Sequence, residues 1–387
     1  MGASGSSGER PRVLLLTATG YYPPFIEEVH EKAIAGEVPR VWLYDLPYDI
    51  TFLDQRFLTQ PPRWLRRVYD RLPMSIAQAI EAFRVQDDYD CIFAWGAESV
   101  SLPLALMLRL FRRTPPLVGI FGWVSVPKKA RLIRAARPKI TSFIIPTIVQ
   151  ANYAVQHLKV PADRVVFFHW PVDIDFWQSQ DSSEQEQMIC SAGREMRDFA
   201  TLIEALDGTG IRCHIAGSLV RGKIDNWRKT MGDNGENVAL PENITWGPRN
   251  SREMRELYAR SRFVVLPLHH SDTDNGVTCM MEAFSMGKTV IISQVEGQRD
   301  VLDNGRNGLY VPVADAAALR TAVVKLFNDN ERAAAMGKQG RHDAEARFGV
   351  DRWVKEINQV IDRAIAQDKR RGKARRIDRL ASAGRTA

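Results

Sequence analysis

Short apolar, β-branched runs alternate with longer stretches of helical periodicity along most of the chain, and no other feature narrows the fold as much. In the first half the runs are Val13–Leu16, Val41–Tyr44, Cys91–Ala94, Leu117–Ile120, Phe143–Ile145 and Val165–Phe168. Helical patterns such as Ser75–Gln86, Leu102–Arg113 and Gln150–Leu158 lie between them. Strands that are apolar throughout are covered on both faces, and strands separated by helices pair in parallel. The segment Gln178–Gln187, rich in Gln, Ser, Glu and Asp, breaks the rhythm and reads as a linker. Beyond it the alternation restarts at Met188–Cys190, Cys213–Ala216, Phe263–Leu266 and Val290–Ile292, and helical periodicity alone runs from about Ala316 to Ala366. The expectation is an α/β protein of two tandem, doubly wound domains facing across a cleft, with a helical C-terminus. Its parts would be a disordered leader at 1–10, domains at 11–172 and 188–348 joined by a linker at 173–187, a helix at 349–366 and a basic disordered tail at 367–387. Ligands of such sheets bind outside the C-terminal ends of the strands.

The 387 residues suit two domains, and 45% hydrophobic with 26% charged residues excludes a mostly disordered or fibrous chain. Cys91, Cys190, Cys213 and Cys279 lie far apart, with no Cys-x-x-Cys, which argues against a disulfide framework or zinc module and for a reducing compartment. Met1–Arg12 has no apolar core of a secretory signal, although Gly2 and Ser6 fit the loose myristoylation pattern. The longest uncharged run, Ile140–Leu158, contains Pro146, Gln150 and Asn152 and is too polar to span a bilayer. A cytoplasmic protein is expected.

Two stretches carry chemistry. Strand Phe263–Pro267 leads through His269-His270-Ser271-Asp272-Thr273-Asp274-Asn275-Gly276-Val277-Thr278 into a helix starting near Thr278 or Cys279. A glycine-containing loop before a helix offers unpaired N–H groups and the positive end of the dipole to an anion. Glu282 would sit in the first turn, either facing a ligand or as a surface carboxylate on a capped helix. The second stretch, Ser191–Phe199, follows a strand and carries Gly193, Arg194 and Arg197. Two arginines three apart can fork onto a diphosphate; equally, they can be solvated.

Together these stretches resemble the retaining glycosyltransferases of family four, which adopt the GT-B fold of two facing Rossmann-like domains. The resemblance covers about Gly193 to Gly349. It rests on Gly193-Arg194 with Arg197, on Asp274 and Glu282 at the spacing of the family's two acids, on Glu282–Lys288, Gly297–Asp300 and Asp303–Gly308, and on the Pro171-Val172-Asp173 turn. It implies that Arg194 and Arg197 stabilise the donor diphosphate, that Gly193 and the Asn275, Gly276, Val277 and Thr278 amides cradle it, that Glu282 holds the ribose and Asp274 a sugar hydroxyl. The donor would be a UDP- or GDP-sugar and the acceptor a hydroxyl of a lipid, glycan or small molecule entering from the N-terminal domain, with neither a further cofactor nor a metal. Two positions depart from the pattern. Asp stands at 274 where the family has Glu, and Ile120–Val124 lacks the histidine that many relatives place after a central N-domain strand. An epimerase or phosphorylase of the same architecture, or an inactive nucleotide-binding relative, would share these residues.

Other readings of the same residues are weaker. Asp272-Thr273-Asp274 is an Asp-x-Asp, a metal motif in another glycosyltransferase fold. Asp274 and Glu282 on one helix would be about 12 Å apart, too far for a hydrolytic carboxylate pair. His269 and His270 follow a strand without a third metal ligand. Trp170, Phe176 and Trp177 read as interdomain packing, and Gly20–Pro24 as a strand-to-helix loop bordering the acceptor.

The net charge of +7 is unevenly spread. Residues 99–162 hold ten Lys and Arg and no Asp or Glu, and residues 366–387 contribute a further +6, leaving the remainder acidic. Within Pro127–Lys139, Lys128, Arg131 and Arg134 fall on one helical face, a pattern that suits an anionic membrane surface as well as plain solvation, so a peripheral place on the inner membrane face joins the cytoplasmic expectation. With no recognition module beside the basic tail, no specific nucleic-acid partner is expected.

Overall fold

The structure is a computed structural model that describes residues 10–17, 25–54, 61–96, 98–111, 113–179, 185–217 and 240–383, with side chains to 370. Among the described residues twelve strands form two six-stranded parallel sheets. The first contains β1 (Arg12–Thr17), β2 (Asp49–Leu53), β3 (Cys91–Trp95), β4 (Leu117–Ile120), β5 (Ile140–Ile144) and β6 (Val165–Val166), in the order β2-β1-β3-β4-β5-β6. The second contains β7 (Met188–Ala192), β8 (Arg212–Ala216), β9 (Ile244–Trp246), β10 (Val264–Leu266), β11 (Val290–Ser293) and β12 (Gly308–Val311), in the order β12-β11-β10-β7-β8-β9. Both sheets are doubly wound, as the alternation of apolar runs implied.

Side chains alternate between two cores on either side of each sheet. In the second sheet Cys190, Val264 and Ile292 point into one core, while Ile189, Val265 and Ile291 point into the other. In the first sheet Leu14, Leu16 and Ile92 face the helices Met74–Val85, Glu98–Leu108 and Pro127–Ala136. Val13, Leu15 and Phe93 face the opposite way, onto the C-terminal helix Val350–Ala383. That helix follows the second domain in sequence yet completes the core of the first, through Trp353, Ile357 and Ile361 at four-residue spacing. The two passages between domains run side by side, Val172 N–H donating to Phe348 O at 2.8 Å and Val172 pairing with Gly349.

Two expectations need correction. Val41–Tyr44 is not a strand: Trp42–Asp45 is a 3-10 turn whose Trp42 and Leu43 are buried against the sheet, and apolarity there reports burial rather than extension. The strand lies a few residues on, at Asp49–Leu53, where an edge position leaves most side chains half-exposed. The C-terminal helix continues past 366 to Ala383, through most of the stretch set apart as a disordered tail; its apolar stripe ends at Ile365, which is why periodicity stops there. The Gly20–Pro24 loop, the leader and residues 180–184 of the linker lie outside the described residues. Among the described residues no helix is long and apolar enough to cross a membrane.

Candidate functional site

Strands β7 and β10 are neighbours, and the helices that follow them, Phe199–Leu206 and Val277–Ser285, pack on opposite faces of the sheet. Their connecting loops leave toward opposite faces at the reversal of strand order, which in a doubly wound sheet is the usual position of a ligand crevice, outside the carboxyl ends of the two strands. Both stretches singled out in the sequence lie here. They are laced together by Asp198 N–H to Pro267 O at 3.0 Å and His269 N–H to Met196 O at 2.9 Å.

Arg197 is buried at 7% exposure, and its guanidinium folds back over its own loop. Nε donates to Ala192 O at 2.7 Å, Nη1 to Glu195 O at 2.8 Å and Nη2 to the Cys279 Sγ at 3.5 Å. Three of five N–H donors are thus engaged, leaving two for a ligand. Gly193 makes this possible: its φ is +106°, and a Cβ there would fall 2.1 Å from Arg197 Nη2. Arg194 is exposed on the same turn. Gly276, at φ +88°, precedes the helix without a side-chain cap, and a Cβ on it would lie 3.7 Å from Arg197 Nη1. The buried cation and the positive end of the helix therefore share one wall. Of the four amides expected to cradle an anion, that of Val277 is engaged with Asp274 O at 3.1 Å.

Glu282 lies on the same helix, where Tyr258 donates its hydroxyl to Oε2 at 3.0 Å. Burial raises the Glu282 carboxyl to about 7, against the opposing pull of that bond and of Arg197. Asp274 accepts from Trp170 Nε1 at 2.6 Å and from Thr273 Oγ1 at 3.0 Å. Burial raises it to about 6 even so, with Asp300 adding to the rise. Gln298 holds this loop from beneath, donating to Asp274 O at 3.0 Å and Asn275 O at 2.9 Å, while Asn275 Nδ2 donates to Ser271 Oγ at 2.8 Å. Gly297 lets the two loops touch, since a Cβ would meet Thr273 O at 2.0 Å.

Trp170 and Gln150 are among the side chains by which the first domain reaches the site. Trp170 does so by its bond to Asp274. Gln150 is fully buried, accepts from the Val124 and Ser125 amides at 2.8 and 3.0 Å, and donates to Asp272 O at 2.8 Å across the domain boundary. In the Ile120–Val124 stretch, where the resemblance leads one to expect a histidine, the Gly122 amide donates to Glu98 Oε1 at 2.6 Å, and Glu98 pairs with Lys129. His269 leans on Asp198, and His270 is exposed. Among the described residues no three His, Cys, Asp or Glu side chains gather to hold a metal ion, and the Asp-x-Asp places its second carboxylate on Trp170 instead.

Trp170, Tyr258, Gln150 and Gln298 were missed as site residues in the sequence. Trp170 reads there as packing, which is also true: its ring lies 5.8 Å from Trp353 and 5.7 Å from Trp95. Gln298 alone had a signal, its place within the Gly297–Asp300 run.

Two facing doubly wound domains with a C-terminal helix returning to the first define the GT-B fold. Residues 173–343 match the family described as glycosyl transferases group 1. The HepE protein of Anabaena, solved in complex with UDP-glucose, shares this architecture with a TM-score of 0.67 and 16% identity, over 92% of this chain and 100% of that one. Sucrose-phosphate synthase of Thermosynechococcus elongatus superimposes with a TM-score of 0.70 and 15% identity over 92% and 100%. In sequence, an exopolysaccharide phosphotransferase of Streptomyces coelicolor is 29% identical over 133 residues, which is 34% of this chain and 14% of that protein.

Proposed function

We propose that this protein transfers a hexose from a UDP- or GDP-sugar to an acceptor hydroxyl with retention and without a metal ion. The observation that carries the reading is the meeting of the buried Arg197 guanidinium with the uncapped start of helix Val277–Ser285, with Glu282 on that helix. The family match over residues 173–343 and the UDP-glucose held by the Anabaena protein support the choice of ligand.

In this reading the donor diphosphate rests against Arg197, Arg194, Gly193 and the loop Asn275–Thr278. Glu282 accepts hydrogen bonds from the ribose and Asp274 from a sugar hydroxyl; Trp170 occupies one oxygen of Asp274, and a carboxylate retains further lone pairs. The bond from the anomeric carbon to the diphosphate oxygen breaks as the acceptor oxygen bonds on the same face, and the acceptor proton passes to the leaving phosphate. Charge grows on the diphosphate during this step, where the fixed cation and helix amides stabilise it most. Positioning of the two substrates supplies much of the rest.

A thermal-shift series with UDP, GDP and their sugars tests the proposal. A nucleotide at 100 times its Kd should add about 2.7 kcal/mol of stability. No stabilisation by any nucleoside diphosphate would remove the reading. Conversion of a donor sugar without acceptor would replace transfer with epimerisation.

A further inference from the structure

Helix Pro127–Ala136 buries Ala130, Ile133 and Ala136 and turns Lys128, Arg131, Leu132 and Arg134 to solvent. The turn after helix Glu98–Leu108 lies beside it. Arg109 Nη1 donates to Ala135 O at 3.1 Å, and Lys139 Nζ to Phe111 O at 2.5 Å. On this joined surface Leu110 is 83% exposed, Phe111 49% and Leu132 45%. Large apolar side chains grouped in water call for an occupant. The surrounding charge specifies its sign, because no Asp or Glu occurs between residues 99 and 162. Lys129 does not belong to this surface: it is half-buried and paired with Glu98 on the side of the Gly122 loop.

We infer that this face seats the protein on an anionic lipid bilayer, with Leu110, Phe111 and Leu132 among the headgroups and Lys128, Arg131 and Arg134 against lipid phosphates. The combination is what selects a membrane. A nucleic acid would use the cations and leave exposed leucines without a role, whereas apolar tips within a basic ring match an interface that is apolar below and anionic above. The neighbouring helix Arg63–Tyr69 repeats the composition, with Trp64 at 67% exposure among Arg63, Arg66 and Arg67. It packs on helix Met74–Val85, whose Phe83 meets Phe111 at 5.2 Å.

The test is flotation of the full chain with vesicles of phosphatidylglycerol and phosphatidylcholine, against phosphatidylcholine alone, without any nucleotide. Binding should require the anionic lipid and weaken with salt. Each reversed cation should cost on the order of fivefold, so Lys128→Glu, Arg131→Glu and Arg134→Glu together should cost at least ~100-fold. Leu110→Ser with Leu132→Ser should weaken binding at unchanged charge. The melting temperature of each variant reports its fold, and because donor binding plays no part in the readout, failure here leaves the proposed transfer untouched. Equal binding to neutral vesicles, no binding to anionic ones, or full binding by the triple variant would each overturn the proposal. So would an unaltered affinity of the leucine pair, which would leave a charge-only surface for any polyanion.

Discussion

Both sheets reverse their strand order beside their first strand, between β1 and β3 in one and between β7 and β10 in the other, yet they fill that point with opposite chemistry. Between β7 and β10 stand a buried arginine, an uncapped helix start and two carboxyls raised by burial. At the corresponding end of the first sheet, Trp95 at the tip of β3 sits in a cluster with Trp42, Trp170 and Trp353, ring to ring at 5.0 to 6.3 Å. One position holds charge out of water; beside the other, among the described residues, stands a cluster of indoles, Trp353 of which comes from the C-terminal helix. Topology makes the two positions comparable, and side chains distinguish the one proposed to take a nucleotide. If that contrast is right, variants on the two sides should separate stability from binding.

The largest effect is expected on the aromatic side. Trp353 is nearly fully buried, and Trp353→Ala should cost about 3–5 kcal/mol of stability through lost contact and residual cavity. The domain of β7–β12 does not use this ring, so the nucleotide-induced rise in melting temperature should persist below the lowered transition. Parallel denaturation curves with and without UDP would show it. Loss of nucleotide binding in a folded Trp353→Ala protein would mean that the two regions are not separable.

Next comes Arg197→Ala, which should lower turnover at least ~100-fold, comparable to losing one oxyanion donor. Exposed Arg194 can adapt, and water can replace it, so Arg194→Ala should cost clearly less. Gly193→Ala sharpens the point without touching a charge, because its methyl group would collide with the guanidinium. It should approach the Arg197 variant in turnover, and near-normal activity in either would remove the charged crevice as the catalytic site.

How far this contrast could be read from the sequence depends on burial. Central strands are covered on both faces and stand out as continuous apolar runs. Asp49–Leu53, Ile244–Trp246 and Gly308–Val311 lie at sheet edges, carry mixed residues and went unmarked. Read from the residues alone, Arg194 and Arg197 could equally be solvated, and it was the family resemblance carried by Gly193, Arg194, Arg197, Asp274 and Glu282 that drew the charged stretches together. Trp170, Tyr258 and Gln150 were not legible. Each meets the site through a residue 24 to 122 positions away, and nothing local distinguishes such a side chain from core packing.

Glu282→Gln should have a smaller and two-signed effect. Burial raises this carboxyl from 4.5 to about 7, so the folded state holds its proton more tightly than the unfolded chain. Its ionisation therefore subtracts stability as pH rises from about 4.5 through 7, and Asp274 acts in the same sense up to about 6. Glutamine still accepts from Tyr258 but does not ionise, so the nucleotide-free variant should melt higher than the parent at pH 8 and alike at pH 4. If Glu282 holds the ribose, the same variant should bind UDP or GDP roughly tenfold or more weakly, the loss of a charged hydrogen-bond partner. A variant that is stabilised yet binds nucleotide normally would keep the electrostatics and reject the assigned role.

The smallest expected change tests a bond that joins the two regions. Trp170→Phe keeps a ring between Trp95 and Trp353 but removes the N–H that Asp274 accepts at 2.6 Å. A hydrogen bond to an ionised carboxylate favours that form, so its loss should raise the acid limb of the pH–activity profile from near 6 by about one pH unit, the equivalent of roughly 1.4 kcal/mol. Turnover above pH 8, where Asp274 is ionised in both proteins, should fall only slightly. A purely structural tryptophan predicts the opposite pattern: a uniform loss across pH with the limb unmoved. Asp274→Asn separates the two cases further. It abolishes the ionisation that the limb reports, and adding Trp170→Phe to it should then change the profile no more. A limb that still moves in the double variant would assign the titration to another group, with Asp300, itself raised by burial, the nearest carboxyl to examine.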